Sequence, residues 1–356
     1  MSDRGEWRGE VDAAIERTLA ELTASLDVVG PAAEDLTRAI ARATEGGKRV
    51  RSTILIASHH AHSGAHHEAA VTLAAALELF HGAALLHDDV LDESDTRRGA
   101  PSAHRAIEAL HAERGWHGDA AAFGRAGAIL AGDLALMASS RALHAAARRL
   151  PERSRERVIG LFLTMSDLVT AGQYLDMRTA THPLDDLLSQ EADIRATMRA
   201  KTASYTCEGP LALGAAVAGA SDTRIAAIRD VGVPLGIAFQ LRDDVLGLVG
   251  TAATGKPAGD DVREGKRTLV LYLAWTAATE AQRAAIRRAT GVRDASAADV
   301  RAAIAAIEAT GAIDAVEREI AATATVARSG LEGLGLVPAY ARILDDIAAY
   351  VVSRDR

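Results

Sequence analysis

Residues 85–99 read "LLHDDVLDESDTRRG". An apolar, alanine-rich segment runs straight into Asp88, Asp89 and Asp92, and then into paired arginines. On a helix, residues 88 and 92 lie one turn apart, so their carboxylates share a face and repel each other unless a cation sits between them. Ala84, His81 and Leu77 occupy the same face further back. One stripe therefore passes from apolar through imidazole to carboxylate, a greasy slot with a charged mouth. A solvated acidic helix end gives the same local pattern, so this stretch does not decide the matter alone.

A second stretch does. Residues 238–247, "AFQLRDDVLG", again place two aspartates, Asp243 and Asp244, at the end of an apolar helical run, with Gln240 one turn earlier. Two such helices facing each other offer hard oxygen ligands of the kind Mg2+ takes together with substrate phosphates and water. The expected ligand is a diphosphate.

The basic residues are distributed to match. Only four lysines occur among 40 basic residues, Lys48, Lys201, Lys256 and Lys266, and asparagine is absent, which points to a coding bias towards arginine. Each lysine that survives such a bias asks for a reason, and an ammonium point charge reaches a phosphate oxygen where a planar guanidinium does not fit. The lysines fall in short islands: "GGKRVR" (46–51), "KT" (201–202) and "GKPAGDDVREGKRT" (255–268), with "DTRRG" (95–99) adding Arg97 and Arg98. Each island follows glycine or lies near a helix end, where backbone N–H groups also receive anions.

The bulk composition narrows the classes. With 356 residues, 49% hydrophobic, the chain buries a large core, and its net charge of -8 argues against nonspecific nucleic-acid binding, which needs a basic surface. The single cysteine, Cys207, excludes an internal disulfide framework. The N-terminal stretch carries neither a signal-type apolar run nor a membrane span, so a cytoplasmic protein without membrane spans is expected. Helical apolar spacing with Ala, Leu, Glu and Arg between, and almost no strand-type alternation, predicts an all-α fold. The eight prolines punctuate that pattern, Pro234 either starting or kinking a helix. No fixed-period repeat or Gly/Pro/Ser-rich linker appears, so residues 1–356 are expected to form a single domain, one large helical bundle. Loops are expected near 111–124 and 181–190.

At this point the chain resembles the trans-isoprenyl diphosphate synthases, or polyprenyl synthetases. "DDVLD" (88–92) looks like the family's first aspartate-rich motif and "FQLRDD" (239–244) like its second, with "GGKRVR", "GQYLD" (172–176), "KTASYT" (201–206) and "GKPAGDDVREGKRT" in the family's order. The resemblance implies helices around a central cavity and a homodimer. It also implies Mg2+, three ions bridging the allylic diphosphate, with Asp88, Asp92 and Asp243 as ligands. Lys48, Arg51, His81 and Arg98 match positions that hold isopentenyl diphosphate. Arg97, Lys201, Lys256 and Lys266 match positions around the allylic diphosphate, and Thr202 and Gln240 match groups near the reacting carbons. Asp244, Asp261, Gln173 and Asp176 are supporting candidates. The second motif commonly reads DDxxD, yet the fifth position here is Gly247, leaving a water or Asp261 to cover the gap.

The implied chemistry is ionisation of an allylic diphosphate, attack by isopentenyl diphosphate, and loss of a proton. Ala84 and Ala83, four and five residues before Asp88, stand where family members that stop at fifteen carbons carry an aromatic side chain. With Phe80 as the floor, a twenty-carbon product, geranylgeranyl diphosphate, is expected; farnesyl and longer-chain synthases are the near alternatives. A His-Asp phosphohydrolase would use "HDD" (87–89) and "SHHAHSGAHH" (58–67), but leaves the second aspartate pair and the lysines unexplained. The five histidines of that segment are read as a solvated turn between helices, with metal binding the lesser reading. A terpene cyclase does not need the isopentenyl diphosphate residues, and a non-catalytic regulatory subunit does not need intact acidic and basic sites.

Overall fold

The computed structural model describes residues 2–250 and 259–353. The all-α expectation holds: the described residues are helical apart from turns and one two-residue strand pair. They divide into two compact units, Met1–Ile159 with Leu213–Ala220, and Gly160–Ala212 with Ser221–Arg356.

The first unit contains α1 (Ser2–Ser25), α2 (Pro31–Thr44), α3 (Val50–Ala61), α4 (His67–Leu91), α5 (Ala103–Glu113) and α6 (Ala120–Ala147). At its centre α4 packs against α1, α2, α3 and α6. It is apolar on every side, which is the pattern of a helix meant for burial. Two details fix its neighbours. Ser139 Oγ of α6 donates to the Ala76 carbonyl at 2.7 Å, and a Cβ placed on Gly82 would stand 2.6 Å from the Thr44 methyl, so only glycine lets α2 approach. Asp119 caps α6 by accepting from the N–H groups of Ala121 and Ala122.

The helices that follow are α7 (Glu152–Ala180), α8 (Glu191–Thr197), α9 (Gly209–Val217), α10 (Asp222–Val249), α11 (Asp260–Glu264), α12 (Leu269–Ala277), α13 (Glu280–Ala289), α14 (Ala297–Ala309), α15 (Ala312–Gly333) and α16 (Pro338–Ser353). In the second unit α10 packs against α15 and against a π-helical segment, Met198–Glu208. Ser221 caps α10, and Thr279 with Gln282 forms a capping box on α13. Pro234 lies inside α10 and does not start it. Gly232 and Gly236 flank it, and a Cβ on either would sit 2.5 Å from a backbone Cα of the π-helix.

Three expectations change in detail. The stretch 111–124 is a loop only between Glu113 and Ala120, and Leu184–Ser189 is a short 3-10 helix. The histidine-rich segment is not a solvated turn throughout, because His59 is fully buried in α3. Among the described residues three helices, α4, α6 and α7, are long and apolar enough to cross a membrane by length and composition alone, where no span was expected. The apolar window of α4 is 78% buried inside the protein, whereas those of α6 and α7 are 28% buried.

Candidate active site

In the first unit the acidic motif closes α4. Asp88 and Asp92 are half-buried, Asp92 capping the helix, while Asp89 is 3% exposed. The next residues form a hairpin in which Arg97 pairs with Ala100 across Arg98 and Gly99. Both turn residues have positive φ, 54° and 77°, as a two-residue primed turn requires. The turn delivers Arg97 back onto the motif. Its Nε donates to Asp89 Oδ1 at 2.8 Å, a second guanidinium nitrogen bonds the same oxygen, and Asp88 lies 3.6 Å away. Burial pushes the Asp89 carboxyl above the usual carboxylate range, and Arg97 opposes that shift.

A basic patch lies in the same unit. Gly46 and Gly47 bend the chain at positive φ, and Arg49 follows in the left-handed region at the N-cap of α3. The Arg98 guanidinium donates to the Glu45 carbonyl and covers Gly47, where a Cβ would stand 3.2 Å from it. His81, seven residues before Asp88, is held well below the usual imidazole range by burial and then by Arg51, Arg98, Arg97 and Arg49. An imidazole so placed stays neutral, with one ring N–H to offer as a donor. Arg51, His81 and Arg98 are thus brought together, with Lys48 exposed on the same loop.

Arg49 belongs to the framework instead. It bonds Asp12 through Nε at 2.9 Å and buried Glu78 through Nη1 at 3.2 Å, and Glu78 accepts the Ser52 N–H at 3.2 Å. Sequence reading missed Glu78 and Asp12. The signal was an acid in the otherwise apolar run "ALELF", because a buried charge needs a partner.

In the second unit the π-helix carries Lys201 and Thr202. Gly172 of α7 lets it approach, since a Cβ there would meet the Lys201 backbone nitrogen at 2.5 Å. Asp176, one turn after Gln173, then holds Lys201 Nζ at 2.6 Å. Such insertions of an extra residue per turn occur often at functional sites. On α10, Gln240 accepts from the Thr202 hydroxyl and donates to Asp244. Asp244 is buried and raised well above the usual carboxylate range by desolvation, then by Asp261, Asp243 and Asp176, with the Gln240 bond opposing. Asp243 beside it is half-buried.

The space beside Gly247 is taken by another side chain. A Cβ built on Gly247 would collide with the Asp261 carboxylate, so that side chain occupies the volume beside position 247. Lys266 reaches Glu264 at 2.7 Å and Asp261 at 3.8 Å. Lys256 lies outside the described residues. His87, which a His-Asp phosphohydrolase would need beside Asp88, is engaged with α6: its Nε2 lies 3.2 Å from the Ile129 carbonyl and 3.4 Å from Asp133.

The polyprenyl synthetase family model matches residues 33–307. The chain belongs to that family. It is a trans-prenyltransferase with the all-α isoprenoid synthase fold. A geranylgeranyl diphosphate synthase of Saccharolobus solfataricus is 32% identical over 262 residues, 73% of this chain and 72% of that one. A geranylfarnesyl diphosphate synthase of Aeropyrum pernix is 33% identical over 322 residues, 87% of this chain and 91% of that one. The crystal structure of a geranylgeranyl pyrophosphate synthase from Corynebacterium glutamicum, complexed with isoprenyl diphosphate and magnesium, aligns with a TM-score of 0.90 at 34% identity, covering 98% of this chain and 99% of that one.

Proposed function

We propose that this prenyltransferase condenses isopentenyl diphosphate with an allylic diphosphate and stops at twenty carbons, as geranylgeranyl diphosphate. One observation carries the two-substrate reading: within a single unit, half-buried carboxylates suited to cations stand beside a separate basic patch of Arg51, His81 and Arg98. A cyclase, with one diphosphate to bind, has no use for that second anion site.

The oxygen donors of Asp88, Asp92 and Asp243 fit Mg2+, which when bound neutralises the negative charge that develops on a departing diphosphate. We assign three ions to the allylic diphosphate. Arg97, Lys201, Lys256 and Lys266 add fixed positive charge for the same leaving group, the largest kind of catalytic contribution in such sites. Lys48, Arg51, His81 and Arg98 hold isopentenyl diphosphate, whose double bond attacks the cation. Because Asp244 anchors the Gln240 amide nitrogen, the carbonyl oxygen of Gln240 points to Thr202, and this pair lends negative dipole to the cationic carbons. Diphosphate itself takes the final proton. Asp261 supplies the carboxylate that Gly247 lacks.

The product length rests on α4. Ala84 is half-buried and small, Ala83 is fully buried, and Phe80, 6% exposed, is the candidate floor. The relative from Aeropyrum pernix, named for a longer product, marks the competing outcome. We place the units of residues 1–356 in one functional domain and the protein in the cytoplasm. We also propose a homodimer, supported by Phe123, Leu130 and Met137, which recur every seven residues on α6 and are 42%, 54% and 55% exposed. The test is incubation with Mg2+, labelled isopentenyl diphosphate and five-, ten- or fifteen-carbon starters, followed by chromatography of the dephosphorylated products. A single twenty-carbon alcohol is expected. Longer alcohols move the floor beyond Phe80, and no condensation with any starter rejects the reading.

A further inference from the structure

At the far end of α4 from the acidic motif, three imidazoles converge. His59 and His60 end α3, and His67 begins α4; one ring nitrogen from each lies within 4.8 Å of the others. The ring centroids are 4.9 Å apart for His59 and His60, 5.1 Å for His60 and His67, and 6.1 Å for His59 and His67. This cluster belongs to neither substrate site. His67 and Asp88 are 21 residues apart on one helix, which at 1.5 Å per residue separates them by about 31 Å.

The outer nitrogens are already committed. His59 Nε2 bonds the Ala65 carbonyl at 2.6 Å, and His67 Nε2 bonds the Glu10 carboxylate of α1 at 3.0 Å. Both acceptors fix the proton on Nε2, so in the neutral rings Nδ1 carries the lone pair. Those two Nδ1 atoms are buried and make no hydrogen bond. A buried acceptor without a partner costs free energy unless something fills it. A ligating histidine typically donates its other ring N–H to a carbonyl or carboxylate, and that is the arrangement at both rings. Burial lowers His59 to about 4, so its ring is neutral at neutral pH.

The backbone is bent to make the cluster. Ser63, Gly64 and His66 all have positive φ, 90°, 70° and 66°, in the turn between α3 and α4. Two of these are not glycine, so the turn carries local backbone strain that the surroundings must outweigh. Gly64 lets the ring of His60 close over the turn, where a Cβ would stand 3.0 Å from its Nδ1. Trp7 of α1 stacks on the other side of His60 at 5.4 Å.

We propose that His59, His60 and His67 form a zinc site that staples the α3–α4 turn to α1 and serves stability, not prenyl transfer. Imidazole nitrogen prefers late first-row divalent ions, whereas Mg2+ prefers the oxygen ligands of the aspartate motifs, so the two ions sort between sites by chemistry. Zinc bonds of about 2.0–2.1 Å place tetrahedral ligand nitrogens ~3.4 Å apart. The ligand nitrogens lie within 4.8 Å of one another, so closing the site takes a shift on the order of 1 Å. Water fills the fourth position.

The test uses tag-free full-length protein, stripped with chelator and returned to a buffer with excess Mg2+ so that the aspartates are occupied. Calorimetric titration with zinc should give one site per chain, and cobalt should give the visible bands of a tetrahedral centre. Zinc should raise the unfolding temperature by mass action. The variant His60→Ala/His67→Ala alters half-buried positions and leaves His59 in place, so it should fold, keep prenyl transfer, and lose both the binding and the thermal shift. Glu10→Gln should bind about 10-fold more weakly, the usual effect of losing a carboxylate behind a ligating imidazole. Zinc binding of equal stoichiometry and affinity in the double variant, or no binding by the native protein, overturns the proposal.

Discussion

The two DD dipeptides occupy the same kind of place, the polar end of an apolar helix, and are wired in opposite ways. In each, the second aspartate is buried and the first is half-buried. Asp89 has its cation built in, Arg97 swung back by the hairpin. Asp244 has an amide, Gln240, and the charges that act on it are those of three further carboxylates. The buried member of each pair thus holds a neighbour, Arg97 in one and Gln240 in the other, and on the function proposed above Asp88, Asp92 and Asp243 are left to meet cations. On that reading the first aspartate of each dipeptide meets the cation and the second positions a neighbour.

The largest effects should separate those roles. Asp88→Asn and Asp243→Asn remove carboxylates assigned to Mg2+ and should each lower kcat by about 100- to 1000-fold, the usual effect of losing one such electrostatic contribution. Steady-state assays across Mg2+ concentrations check this. If Asp243→Asn stays within tenfold of the native enzyme, the second motif does not carry its assigned share, and Asp261 becomes the candidate ligand.

Next in size is the buried ion pair. Asp89→Ala leaves the Arg97 guanidinium facing a buried void, and losing one partner of such a pair costs on the order of 3 kcal/mol. Urea unfolding of the variant should show that loss as a lower midpoint with an unchanged slope. An unaltered midpoint would mean that Arg97 re-pairs with Asp88, to which it is already 3.6 Å away.

The turns preceding the motifs differ as well. Before Asp243 stands Gln240, tied to Asp244; before Asp88 stand Ala83 and Ala84, tied to nothing. Ala84→Phe should shorten the product to fifteen carbons, read by chromatography of the alcohols. Ala83→Phe, at a fully buried position, should overpack the core and cost about 1–3 kcal/mol instead. Unchanged twenty-carbon output from Ala84→Phe would move the length-setting wall to another helix.

Much of this was legible in the residues. Helical periodicity gave the all-α fold, which depends on local spacing, and the resemblance of the acidic and basic motifs, in their order along the chain, gave the family. The gap at Gly247 was visible too, and Asp261 was a candidate to fill it. What spacing does not encode is backbone conformation set by packing. Nothing local in "KTASYT" distinguishes a π-helix from an α-helix; Gly172 and Gly236, distant in sequence, make room for it. The positive φ of Arg49 and Arg98 is equally silent, since neither is a residue that favours it. Residue type misled once, when polar His59 was read into a solvated turn, whereas the fold buries it.

The smallest effect tests the reading of Asp244 as an anchor for Gln240 and not a ligand. In the unfolded chain its carboxyl titrates near the ordinary 3.8, whereas the folded protein holds the proton to well above that. Below the unfolded value both states are protonated, and the charge contributes nothing to the balance. As pH rises, the unfolded state releases its proton first, so native stability falls relative to a variant that cannot ionise, until pH passes the folded value. Asp244→Asn keeps an oxygen to accept from Gln240 and carries no charge. In chelator, the margin by which its unfolding temperature exceeds that of the native protein should be smallest near the ordinary carboxylate value and widen by a few degrees as pH rises above it. A margin that does not change with pH would show that Asp244 is charged in the fold and would overturn its reading as a neutral anchor for Gln240.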